Sequence, residues 1–242
     1  MYDVDLTDAV PSARTVRVRG FGSARFPMGQ NAGIIRRLHR HGIAAVCYMD
    51  SGAYESYEPD ASLFPSSVIG RNTGWSGERW LDIRKGSWQR FAPIIWARLQ
   101  LARSIGCDGV EPDQNNPLGN HPGFPIKRSD ERAWYLKVAR EAHSRGLSVG
   151  MKNGVEVLDR KLAGAFDWSL NEECFFYHEC AREMPFIRAG KAVFQAEYTA
   201  DWRRRGRRSP EAVRNQVCGA ARSRRFSTLV KRHVPDSRFA PC

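Results

Sequence analysis

The stretch IGCDGVEPDQNNPLGNHPGFPI (105–126) holds a helix end, a short strand and a long turn. The strand, CDGVEPD, finishes on two acids, Glu111 and Asp113, before a run of Asn, Gly and Pro. Packing alone rarely ends a strand on paired carboxylates, so the pair points to chemistry. The surrounding pattern repeats the motif. Strands are expected at YDVDL (2–6), AAVCYMD (44–50), GVEPD (109–113), SVGMKN (148–153), WSLNEEC (168–174), AVFQAEY (192–198) and FSTLVK (226–231). Helices are expected between them, at 33–42, 87–106, 129–146 and 209–224. Gly42, Gly106 and Gly146 close the first three. Ser129 is the expected N-cap of the third, and Ser209 with Pro210 opens the fourth.

Strand followed by helix, repeated, indicates a parallel sheet covered by helices. An open doubly wound sheet and a closed barrel both satisfy the pattern. The strand ends favour the barrel. Asp5, Asp50, Asp113, Lys152 with Asn153, Glu172 with Glu173, and Glu197 with Tyr198 each close a strand. A (β/α)₈ barrel gathers those ends at one face. A doubly wound sheet would carry its site at one switch point, with a glycine-rich phosphate loop, and no such motif is present. The expected architecture is a single (β/α)₈ TIM-barrel domain over 1–242. Seven strands are counted, and the missing one is placed upstream of Met1.

The chain has 242 residues, 42% hydrophobic and 26% charged, which suits a globular protein. No apolar run reaches the length of about 18 residues that a spanning helix needs, so no membrane association is expected. The N-terminus, MYDVDLTDAV, lacks the apolar core of a signal peptide. The net charge is +12, with five arginines between positions 203 and 208: Arg203, Arg204, Arg205, Arg207 and Arg208. That cluster could bind a polyanion, but no nucleic-acid motif accompanies it, and scattered solvated arginines explain most of the charge. No nucleic-acid partner is expected.

The six cysteines contain no CxxC pair, so no zinc site and no other metal or cofactor is expected. One or two bridges are expected among Cys174, Cys180, Cys218 and Cys242. Cys47 and Cys107 read as buried thiols beside apolar strands.

Carboxylates lining a barrel mouth suit glycoside hydrolysis, which uses one acid to protonate the leaving oxygen and another as nucleophile or base. Asp113 and Glu172 are the strongest candidates. Alternation in LNEEC puts Glu172 and Glu173 on opposite faces, so only one points inward. A strand-end acid can also cap a helix or pair with an arginine, but that reading weakens when six strand ends are polar together. Lys152 could instead form a Schiff base, as in an aldolase, although an ion pair with nearby acids explains it as well. Trp75 and Trp80, in the loop 72–84, could stack on sugars or anchor that loop by burial.

Seven segments together resemble glycoside hydrolase family 114: CYMDSGAYESYEPD (47–60), FPSSVIG (64–70), GWSGERWLDIR (74–84), GCDGVEPDQNN (106–116), AHSRGLSVGMKN (142–153), FDWSLNEECFFYHEC (166–180) and GKAVFQAEY (190–198). The resemblance implies a secreted, metal-free, TIM-barrel endo-α-1,4-polygalactosaminidase acting on galactosamine or N-acetylgalactosamine polymers. It implies Asp113 and Glu172 as the catalytic pair, with Asp113 assigned as nucleophile and Glu172 as acid/base in a retaining mechanism. Asp50, Glu55, Asp82, Lys152, Asn153, Glu197 and Tyr198 match further motif positions, and Asp5, Tyr48, Trp80, Glu111 and Asn171 complete the expected sugar-binding set. Family members also carry a signal peptide and a tryptophan-rich strand ahead of YDVDL, both absent here, so the barrel is expected to lack its first strand. The segment 10–30 is longer and more basic than its counterpart and is expected to be a surface loop. An acidic mouth on a basic, monomeric body follows, with a polysaccharide as partner. The other readings are a non-catalytic polysaccharide-binding barrel and a polyanion-binding protein.

Overall fold

A computed structural model describes residues 1–206, 209–232 and 239–242. The chain forms two compact units, Met1–Gly150 and Met151–Cys242. The first contains β1 (Tyr2–Asp5), β2 (Arg14–Val18), β3 (Gly22–Phe26), α1 (Ile34–Arg40), β4 (Ala45–Asp50), β5 (Ala53–Glu55), β6 (Ile69–Asn72), β7 (Glu78–Leu81), α2 (Ala92–Ile105), β8 (Gly109–Asp113) and α3 (Arg128–His143). The boundary falls inside β9 (Ser148–Lys152). The second unit contains α4 (Arg160–Ala165), β10 (Trp168–Glu172), α5 (Met184–Arg188), β11 (Val193–Tyr198), α6 (Thr199–Trp202), α7 (Pro210–Ser223), β12 (Ser227–Lys231) and β13 (Phe239–Pro241).

All seven expected strands are present, as β1, β4, β8, β9, β10, β11 and β12. In the first unit they run in the order β1-β4-β8-β9, each pair parallel. In the second the order is β9-β10-β11-β12-β13. There β10, β11 and β12 are parallel and β13 returns antiparallel along β12. With β9 counted once, the parallel-rich sheet has eight strands.

The helices form where apolar side chains recur at helical spacing. In α3, Glu131, Trp134, Tyr135, Val138, Ala139 and Ala142 are buried along one face. Trp134 anchors the core of the first unit, its ring 5.3 Å from Phe91 and 5.6 Å from Trp96. In α7, Val213, Val217, Cys218 and Ala221 form the buried face, and Val230 of β12 belongs to the same apolar cluster. Ser209 caps α7 as expected, accepting the Ala212 N–H at 3.1 Å. The cap of α3 differs: the helix begins at Arg128, and the Asp130 carboxylate accepts the Lys127 N–H at 3.0 Å. An acid one residue beyond Ser129 takes the capping role because a carboxylate is the stronger acceptor.

Three other expectations are corrected. The segment 10–30 is not a loop: β2 and β3 form an antiparallel hairpin. Its outward positions carry Thr15, Arg17, Ser23 and Arg25, while Val18, Ala24 and Phe26 are buried, so charge on the wet face masked the alternation. The 72–84 segment likewise supplies β7, which pairs with β5 and β6 in a separate three-stranded sheet. Cys47 and Cys107 are not thiols but form a disulfide, alongside Cys174–Cys180 and Cys218–Cys242. Strand β4 and the residue after α2 bring the first pair within bridging distance, at a Cα separation of 5.9 Å. Among the described residues no helix is long and apolar enough to cross a membrane. Of the arginine cluster, Arg207 and Arg208 lie outside the described residues.

The Cys47–Cys107 bridge spans 60 residues of sequence. Replacing both cysteines by alanine is expected to cost about 2–4 kcal/mol of stability, read as a lower midpoint in chemical denaturation. An unchanged midpoint would show that the bridge adds nothing.

Candidate active site

Register lines up the acids of the first unit. Asp5, Tyr48 and Glu111 are in register across β1, β4 and β8, and Asp50 faces Asp113 one pleat further on. In a parallel pair, residues in register project to the same face, so Tyr48, Asp50, Glu111 and Asp113 share one surface. The Tyr48 hydroxyl lies 3.0 Å from Asp50 Oδ1 and 3.2 Å from Asp113 Oδ2. Asp50 is fully buried, and its Oδ2 has no hydrogen-bond partner among the described residues. Burial first, then the charges of Glu55 and Asp113, pushes the Asp50 carboxyl well above the usual range. The Tyr48 hydroxyl therefore sits between the two carboxylates as a shared donor to Asp50 and Asp113.

Backbone geometry fixes the end of β8. Gln114 turns into the left-handed region, φ 57°, and its N–H meets Asp113 Oδ1 at 2.5 Å. The Ser51 and Gly52 N–H groups both reach the Asp113 carbonyl, at 3.0 and 3.2 Å. A Cβ on Gly52 would lie 1.8 Å from the Gln114 carbonyl oxygen, so only glycine permits that crossing. Asn115 locks the turn from below, accepting Ser51 Oγ and Trp134 Nε1 and donating to the Pro112 carbonyl, each at 2.7 Å. Sequence reasoning missed Asn115, because nothing distinguishes it from its neighbours in DQNN.

Glu55 is held by Arg98, which the sequence reading also missed. The buried guanidinium bonds Glu55 Oε2 at 2.6 Å, both oxygens of Asp60 at 2.7 and 2.9 Å, and the Asp50 carbonyl at 3.2 Å. An arginine inside the apolar face of a helix was the available signal. Burying a charge is tolerable only when it is paired this fully. The other expected residues of this unit have structural duties. Asp5 accepts the Asp8 N–H at 2.8 Å. Asp82 forms a two-pronged pair with Arg84, both contacts 2.7 Å; burial pushes its carboxyl up, but Arg84 outweighs that and holds it below the usual range. Trp80 lies in β7 at 3% exposure and offers no free indole face, whereas Trp75 is 52% exposed. The strand-end surface here is acidic, as expected.

In the second unit Glu172 closes β10. Its Oε1 accepts the Tyr198 hydroxyl at 2.5 Å, and its Oε2 accepts Asn153 Nδ2 at 3.2 Å with Lys152 Nζ 3.6 Å away. Asn153 sits in the left-handed region at φ 46°, which lets its Oδ1 also accept the Glu172 N–H at 2.9 Å. Burial raises the Glu172 pKa, but Lys152, Tyr198 and Asn153 together outweigh it, so the carboxyl stays below its ordinary value. Lys152 thus faces Glu172 as an ion-pair partner, one of the two readings open to it from the sequence. Asn171 and Glu197 do not join Glu172. Alternation sends both to the opposite face, where Glu197 takes Gln195 Nε2 at 2.6 Å, the Phe175 N–H at 2.9 Å and the Trp202 indole. Glu173 leaves the strand at φ 62°, and burial with the nearby Asp201 charge pushes its carboxyl up to about 8. The Cys174–Cys180 bridge closes the loop directly after it. Among the described residues no cluster of His, Cys, Asp and Glu could hold a metal ion.

Residues 6–242 match the family model described as glycoside-hydrolase family GH114. The chain belongs to glycoside hydrolase family GH114. It is a glycoside hydrolase. It is similar to the crystal structure of Aspergillus fumigatus Ega3 in complex with galactosamine, with 28% identity, a TM-score of 0.80, and coverage of 100% of this chain and 87% of that one. The glycoside hydrolase domain of PelA from Pseudomonas aeruginosa shares the fold at 16% identity and a TM-score of 0.64, with 85% of each chain covered. No curated protein matches the chain.

Three acids outside the candidate pair set the stability profile. Burial pushes Glu58 and Glu183 up to about 7 and Glu173 to about 8, against an ordinary 4.5. Between pH 4.5 and these values the native state binds more protons than the unfolded chain, so stability falls as pH rises. The melting temperature is expected to drop steadily from pH 5 to pH 8. A flat or rising profile would contradict these environments.

Proposed function

We propose that this GH114 member is an endo-acting hydrolase of α-1,4-linked galactosamine polymers, acetylated or not, with Asp113 and Glu172 as its two carboxylates. The observation that carries the reading is that each acid closes a parallel strand with a tyrosine hydroxyl on its carboxylate, Tyr48 on Asp113 and Tyr198 on Glu172; the resemblance to the family implies the same pair. Similarity to a protein crystallised with galactosamine supports the substrate class. The (β/α)₈ barrel of the family, as one monomeric catalytic domain over 1–242, is the frame this reading assumes. Three disulfides suit an extracellular setting, where oxidised pairs persist.

The mechanism is a retaining double displacement. Glu172 gives its proton to the glycosidic oxygen as the C–O bond breaks. The Asp113 carboxylate attacks the anomeric carbon and forms a glycosyl ester. Water then cleaves that ester, losing its proton to Glu172, which restores both groups. The Tyr48 hydroxyl at Asp113 and the Tyr198 hydroxyl at Glu172 orient the two acids. Lys152 and Tyr198 make Glu172 a stronger acid but leave less of it protonated near neutrality. The pH optimum therefore lies on the acidic side.

Product release from polymers of graded acetylation tests the reading. Asp113→Asn and Glu172→Gln are each expected to lose at least about a thousandfold in kcat, with circular dichroism unchanged. The first-formed reducing end should be the α anomer by proton NMR. Full activity in both folded variants would remove the assignment.

Tyr198→Phe tests the roles. It removes a hydrogen bond that favours ionised Glu172, so the Glu172 pKa rises. With Glu172 as the acid, the falling limb of kcat/KM should move to higher pH. Displacement of the rising limb instead would make Glu172 the nucleophile.

A further inference from the structure

The three-stranded sheet β5-β7-β6 carries two exposed aromatic rings, Tyr57 just after β5 and Trp75 in the turn between β6 and β7. Tyr57 is 60% exposed and Trp75 is 52% exposed. The Tyr57 ring is held in place, and so is the backbone that carries Trp75. The Tyr57 ring lies against Gly77, where an added Cβ would come within 3.0 Å of it. Its hydroxyl is 3.0 Å from Glu78 Oε1 and 3.3 Å from Glu55 Oε1. Trp75 sits in the turn between β6 and β7. Asn72 Nδ2 donates to the Trp75 carbonyl at 3.0 Å, and the Trp75 N–H reaches Thr73 Oγ1 at 3.3 Å. Asn72 Oδ1 takes the Gly74 N–H at 2.7 Å. These bonds hold the backbone of the turn through Asn72 and Thr73, so the indole is not what shapes it.

A carboxylate accompanies the rings. Register pairs Glu55 with Glu78, so both acids lie on one face of the small sheet. Glu78 is half-buried and also accepts Thr73 Oγ1 at 3.2 Å. Its carboxyl is pushed up by burial and then by the Asp113 charge, which places it within electrostatic reach of the end of β8. Flat, exposed aromatic faces beside an acid suit a ring with one apolar face and a cationic substituent. Such a ligand gains from ring contact and from attraction between its ammonium group and the indole.

We propose that Trp75 and Tyr57, with Glu78 beside them, form a stacking subsite for a hexosamine unit of the polymer, remote from the bond that is cut. The inference rests on the polymer substrate proposed above. It adds a grip that lengthens the bound stretch of chain, so its contribution grows with substrate length.

The experiment uses the full chain, Trp75→Ala and Trp75→Phe. Kinetics are measured on α-1,4-galactosamine oligosaccharides from the shortest cleaved up to the polymer, and polymer binding by calorimetry. Trp75→Ala is expected to raise KM about fivefold on long chains, with a smaller effect the shorter the substrate and little change in kcat. Trp75→Phe should recover most of the loss, because a ring face remains. Unchanged KM at every length, or equal loss at every length, overturns the subsite while leaving the catalytic reading intact. If the parent cleaves no galactosamine polymer, the catalytic reading falls, and calorimetry decides the subsite alone. Weaker polymer binding by Trp75→Ala then supports it; equal binding, or none by the parent, overturns it.

Discussion

Parallel register governs this protein's chemistry. A parallel pair sets residues side by side in rows, and each row points to one face. In the first unit the rows are Asp5, Tyr48 and Glu111, then Asp50 and Asp113. In the second, Glu172 and Tyr198 share a face, while Asn171, Gln195 and Thr228 form a row on the other. A slip by one residue would exchange those faces and turn the strand-end carboxylates away from one another. Every assignment of a side chain to the candidate site depends on this alignment holding.

Crowded acids carry an electrostatic cost, and the two units meet it differently. In the first, a fully buried arginine on α2 pairs with Glu55 and Asp60, and burial with neighbouring charge pushes the Asp50 carboxyl well above its usual range. In the second, burial raises the Glu172 carboxyl, but Lys152, Tyr198 and Asn153 outweigh it and hold it below its ordinary value. Similar carboxyl groups therefore acquire opposite protonation tendencies from their surroundings. The protein's overall charge of +12 does not decide either environment, because local partners act at a few ångströms while surface charges are screened.

Much of this was legible in the sequence. Short apolar runs broken by amphipathic ones identified seven strands, since burial on two faces or one leaves a period that survives in the residue order. Polar residues at the strand ends marked Asp113, Glu172, Lys152 and Tyr198 as candidates, because packing gives no reason to put them there. The hairpin β2–β3 and strand β7 were hidden, since their exposed faces carry Arg and Thr and read as loop. Asn171 and Glu197 looked equivalent to Glu172 in the sequence, and only alternation within a fixed register separates them.

The sequence by itself determined the order of strands and helices, the acids at the strand ends and the family to which the motifs belong. All of these are local, carried by residues within a few positions of one another. The tertiary structure alone decided the cysteine partners, the burial of Arg98 with Glu55 and Asp60, the locking of the β8 turn by Asn115 and Trp134, and which acids hold protons. Each depends on which groups meet in space, and the free energy of a charge or a thiol is set by what it meets.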